Sequence, residues 1–145
     1  LLKIANCRYS ADELELAAQV YRRLGRDFSY GEGSATAHLR LAHIDRLEGR
    51  VEETLETLEM LLARTDGPDT RRKAYLMQAE VLGDLRRHEE AETTLDLAEE
   101  EFPGDSEIAA MASRLRQQEE AQRSVAADGE LEKQVRWGRG RRATP

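Results

Sequence analysis

Apolar residues recur every three to four positions along most of this chain. Leu39, Leu41, Ala42, Ile44 and Leu47 form one stripe, and Val51, Leu55, Leu58, Leu61 and Leu62 form the next, with Gly49 as the turn between them. A second pair follows. Leu76, Ala79, Val81, Leu82 and Leu85 lead through the polar turn Arg86-Arg87-His88 to Ala91, Leu95, Ala98 and Phe102. This periodicity predicts amphipathic helices, and turns this short predict antiparallel neighbours.

The pattern also repeats at long range. Ala5, Ala42 and Ala79 are spaced 37 residues apart, and the same step carries Leu2 to Leu39 to Leu76, Ala17 to Thr54 to Ala91, and Tyr21 to Leu58 to Leu95. Between the units lie the breaker-rich stretches 29–34, 66–70 and 103–106, where Ser34, Asp69 or Thr70, and Ser106 are the expected N-caps. After Ser106, the face of Ile108, Met111, Ala112 and Leu115 fades into polar sequence, as expected of a helix that caps a stack of repeats. The predicted organisation is units at about 1–33, 34–69 and 70–105, a capping helix over 106–127, and a basic, glycine-containing flexible tail over 128–145.

Residue usage supports an all-α fold. Val and Ile are scarce while Ala, Leu, Glu and Arg dominate, so strands would conflict with local preference almost everywhere. Of the 145 residues, 39% are hydrophobic and 35% charged, which suits an elongated body. Net charge is −7, and because residues 136–145 hold four Arg and no acid, the rest carries −11. An acidic body argues against duplex nucleic acid as a partner. No stretch reaches the roughly 20 apolar residues of a membrane span. A lone Cys7 excludes an internal disulfide and fits a reducing compartment, so a cytoplasmic location is expected. Leu1 rather than Met opens the chain, which leaves its native start and any targeting segment there open.

These positions resemble the tetratricopeptide repeat, a helix-turn-helix unit. Tyr75, Ala79, Ala91 and Pro103 stand at the family's spacings in the last full unit, with Leu95 where an aromatic is usual. The middle unit matches at His38, Leu41-Ala42, Gly49 and Leu58 but has Thr54 in place of Ala; the first matches at Leu1, Ile4-Ala5, Ala17 and Tyr21. The resemblance covers residues 1 to about 116 and implies an α-solenoid of helix pairs. It also implies that first helices line a groove for a peptide or partner helix. By position, the groove residues are Lys3, Asn6, Tyr9, Thr36, Leu39, Arg40, His43, Arg46, Lys73, Leu76, Met77 and Glu80, with Asp84 beyond them. Four cations face two acids there, which would favour an acidic or amphipathic segment of another protein. The same Arg40 and Arg46 could instead pair with neighbouring carboxylates and imply no ligand. The family's chaperone-binding carboxylate clamp is not matched, since Leu2 and Met77 occupy positions that should be polar.

Catalysis and cofactors are not expected. His38, His43 and His88 lack a second ligand at helical spacing, so no metal site is predicted. Cys7, in phase with Ile44 and Val81, is read as a small buried hydrophobe. Gly31-Glu32-Gly33-Ser34 lacks the lysine and strand of a phosphate cradle and is read as a loop between units. The carboxylate runs Glu52-Glu53-Glu56-Glu59 and Glu99-Glu100-Glu101 are read as solvated helix faces. The tail, with Trp137, Arg139 and Arg141, has three readings: a single-strand RNA segment, a solubilising end, or a segment that docks on an acidic face and builds a homo-oligomer. The leading expectation is therefore a non-enzymatic scaffold for protein–protein interaction. A self-assembling platform is the alternative, and RNA binding through the tail stands third.

Overall fold

A computed structural model describes the backbone of residues 1–10, 13–27 and 32–140, and the side chains of residues 1–9, 13–24 and 33–137. Within them the chain is all-helical, with seven helices: α1 (Leu2–Ser10), α2 (Leu14–Asp27), α3 (Glu32–Leu47), α4 (Val51–Arg64), α5 (Pro68–Asp84), α6 (His88–Glu101) and α7 (Ser106–Gly140). Each helix packs on the next in chain order, and α5 also touches α3 and α7.

Small residues at the 37-residue step set how closely the helices approach. Ala5, Ala42 and Ala79 are each fully buried, as are Ala17 and Thr54, and Ala91 is nearly so. The bulky position that follows in each unit, Tyr21, Leu58 or Leu95, fills the space beside them. Thr54 substitutes for alanine at no polar cost, because its hydroxyl donates to the Arg50 carbonyl at 2.7 Å. Tyr21 is anchored the same way, its hydroxyl donating to Asn6 Oδ1 at 2.6 Å across α1 and α2.

The turns follow from local chemistry. Gly49 has φ 76° and Arg86, which stands 37 residues later, has φ 60°, so the second of these left-handed turns is made by a residue that pays for it in backbone strain. Gly104, at φ 79°, ends the connection after α6. Helix starts differ from expectation. Ser34 lies buried inside α3 rather than capping it, α5 begins with Gly67 as N-cap and Pro68 in its first turn, and α7 is capped by Asp105 rather than Ser106. Asp105 Oδ1 accepts from the backbone N–H groups of Glu107 and Ile108 at 2.9 and 3.1 Å, which a serine one residue later could not do in the same geometry. Residues 29–31 of the first predicted loop lie outside the described residues.

Two further expectations are corrected. Cys7 is exposed, although Ile44 and Val81 at the equivalent positions are buried. Ile44 packs in a cluster with Ala17, Ala18, Tyr21 and Leu24 of α2, whereas no described helix covers that face of α1, where Leu1 and Ile4 are exposed as well. At the other end, the helix does not stop near 127 but continues as one 35-residue element to Gly140. Its sequence is rich in helix formers, holds ion pairs one turn apart between Glu119 and Arg123 and between Glu130 and Lys133, and meets no proline before Pro145.

Arg71 fastens the α4–α6 side of the stack. Its guanidinium donates to Glu101 at 2.6 Å, to the Thr65 carbonyl at 3.1 Å and to the Leu62 carbonyl, and it lies 5.8 Å from the Tyr75 ring centroid. One side chain thereby satisfies carbonyls left open at the end of α4 and ties them to the end of α6. Glu101 is thus a clasp residue and not only part of a solvated acidic face. Arg71→Ala should lower stability by about 1–2 kcal/mol, read as a lower urea midpoint with unchanged slope. An unchanged midpoint would contradict this role.

Candidate functional site

A cleft of about 680 Å³ opens between α3, α5 and α7. Nine residues expected from the sequence line it: Thr36, Leu39, Arg40, His43, Arg46, Lys73, Leu76, Met77 and Glu80. Lys3, Asn6 and Tyr9 do not line it; Lys3 is exposed on α1, Asn6 accepts from Tyr21, and Tyr9 reaches the cleft only through His43 and Arg40. Sequence reasoning missed Met111 of α7 and the rim formed by Gly67, Pro68, Asp69 and Thr70.

The cleft follows a second register. Equivalent core positions are 37 residues apart, but three of the side-chain pairs that join successive first helices are 34 apart, Tyr9 with His43, Arg46 with Glu80, and Glu80 with Arg114, while Arg40 over Tyr9 spans 31 and Arg46 to Asp84 spans 38. The difference is three residues, close to one helical turn, so these side chains meet about a turn away from the residues at equivalent core positions. Tyr9, His43, Met77 and Met111 fall on this 34-residue step. That spacing was the available signal for Met111.

Charge is distributed unevenly. Arg46 donates to Glu80 at 2.6 Å and to Asp84 at 3.2 Å, and Arg114 reaches Glu80 from α7 at 3.1 Å. Burial raises the Glu80 pKa, but the two guanidiniums outweigh it and hold the carboxyl below its usual range. Lys73 sits 3.1 Å from Asp69, one turn away and half exposed. Arg40 differs. It is exposed, stacks 5.2 Å from the Tyr9 ring centroid, and has no carboxylate partner among the described residues. Beside it, burial and the positive charges of Arg46 and Arg40 depress the His43 pKa, and its Nδ1 shares a 2.6 Å hydrogen bond with the Tyr9 hydroxyl. The two readings of the groove arginines thus divide: Arg46 is committed within the chain, while Arg40 is available.

Between these charges lie Leu39, Leu76, Met77 and Met111, all partly exposed. Such a surface can cover apolar side chains and meet one or two acids. No group of three His, Cys, Asp or Glu among the described residues is arranged to hold a metal. His38 donates to the Ser34 carbonyl at 2.8 Å within α3, and His88 to Gln122 of α7 at 3.1 Å. No described helix is long and apolar enough to cross a membrane. Trp137 is exposed on α7; the side chain of Arg139 and the whole of Arg141 lie outside the described residues.

Glu80 contributes to the acid dependence of stability, as does Glu101 through Arg71. A carboxyl whose folded pKa is depressed contributes stability that is complete above the ordinary value of 4.5 and lost as pH falls through the folded value. Glu80→Gln should therefore flatten the fall in urea midpoint below pH 4.5 while lowering it at neutral pH. Parallel pH profiles for the two proteins would contradict this. No protein-family model matches the chain, and no curated protein matches it.

Proposed function

We propose that the chain is a non-enzymatic scaffold, a stack of tetratricopeptide-like helix pairs whose cleft binds an apolar segment of another protein that carries acidic residues. One observation carries this reading: Arg40, without a carboxylate of its own among the described residues, stands beside the open apolar surface of Leu39, Leu76, Met77 and Met111. The ligand's apolar side chains would cover that strip, with about 25 cal/mol gained per Å² removed from water. Its acids would meet Arg40 and, after exchange with Asp69, Lys73. Arg46 has a different part. Bound to Glu80 and Asp84, it braces α3 against α5 and keeps the cleft formed before the ligand arrives.

This division of labour specifies the variant to use. Arg40→Glu with Lys73→Glu reverses two exposed charges without touching the brace, so helicity and thermal midpoint should stay near wild type. Partner proteins captured from a cell extract by the full chain, and titrated once identified, should bind the variant at least about tenfold more weakly. Equal affinity for both proteins would overturn the reading.

A further inference from the structure

The second half of α7 has no partner. Gln122 still meets His88 of α6 at 3.1 Å, but from Arg123 through Trp137 every side chain is exposed, including Val125 at 73%, Leu131 at 63% and Val135 at 49%. A helix standing alone over such a length is marginal in water. This one also carries Gly129 in its interior and the like charges Asp128 and Glu132 one turn apart, both of which weaken it further.

The exposed residues are ordered around the helix. At 3.6 residues per turn, Val125, Asp128, Leu131, Glu132 and Val135 fall within an arc of about 120°. Of the cations in this stretch, Arg123 and Lys133 fall well outside it, and Arg136 stands about 20° beyond its edge at Val125. The arc is apolar with two acids, neither of which has a partner among the described residues. That is the complement of the cleft, which offers apolar Leu39, Leu76, Met77 and Met111 beside Arg40 and Lys73. The arm cannot fill the cleft of its own molecule. Met111 lines the cleft from the same unbroken helix, and the arc lies between about 21 and 36 Å further along its axis.

We infer that the cleft of one copy receives the α7 arm of a second copy, with Asp128 and Glu132 against Arg40 and Lys73 and with Val125, Leu131 and Val135 over the apolar strip. The inference rests on the cleft being a binding surface and names its occupant. Each copy holds one arm and one cleft, so copies exchange arms in a closed dimer or join head to tail. Docking relieves the Asp128–Glu132 repulsion and supplies the arm with the packing it lacks alone.

Sedimentation velocity of the full chain tests this over about 5–200 µM. Wild type should sediment faster as concentration rises, and about 0.5 M salt should weaken the association. Asp128→Lys/Glu132→Lys should be monomeric, and so should Arg40→Glu/Lys73→Glu. An equimolar mixture of these two variants should associate again, because each then presents an arm and a cleft of opposite charge to the other; two variants that had merely lost their fold would not recover on mixing. A wild type that stays monomeric throughout overturns the inference. So does a mixture that stays monomeric, and so does association lost on reversing the arm but unmoved by reversing the cleft, which would mean arm pairs with arm. None of these outcomes depends on another protein. Capture of a different partner, lost in the Arg40/Lys73 variant, would then keep the scaffold reading with a different occupant.

Discussion

The structure depends on the close approach of helices at buried small residues. Ala5, Ala42 and Ala79 have no exposed surface, and any larger side chain there would push the first helix of a unit off its neighbours. Because these residues recur every 37 positions, the same packing is made three times. Three of the contacts between first helices recur instead every 34, about one helical turn short of that step. Core and cleft are two readings of one chain, and each can be followed residue by residue without the other.

Electrostatics refine what the cleft can do. A face with more cations than acids looks generally basic in the sequence, but most of its charge is answered within the chain: Glu80 is held between Arg46 and Arg114, and Lys73 rests against Asp69. Surface pairs of this kind contribute modestly to stability. Their larger effect is to make the field local, concentrated at Arg40 next to apolar surface. On the proposed reading, a ligand would be chosen by a few acids at fixed places in an apolar segment, rather than by total negative charge. The arc on α7 that carries Asp128 and Glu132 has that character.

The helices and their pairing were legible because periodicity of apolar residues reports local geometry directly, and the 37-residue recurrence of alanines reported the packing. Most of the cleft lining was legible as well, since residues such as Leu39, Arg40, Lys73 and Met77 project from positions fixed by helix phase. What failed depended on neighbours. Cys7 shares its phase with two buried residues, yet burial requires a covering helix, and phase carries no information about that. Ser34 has the chemistry of a cap, but the helix starts before it. The end of α7 was misplaced because fading of an apolar face marks the end of packing, not of hydrogen bonding; residues 123–140 remain helical with nothing described against them. Arg46 was indistinguishable from Arg40 until Glu80 and Asp84 were placed in space.

The most direct test of this account is a double-mutant cycle on Arg46 and Glu80, the pair that defines the 34-residue register; the 37-residue step would instead set Gly83 opposite Arg46. Stabilities of wild type, Arg46→Ala, Glu80→Ala and the double variant, measured by urea unfolding at neutral pH and low salt, should reveal a coupling of about 0.5–1 kcal/mol. Additive effects, with no coupling beyond error, would mean that the two side chains do not meet in solution and that Arg46 does not brace α3 against α5.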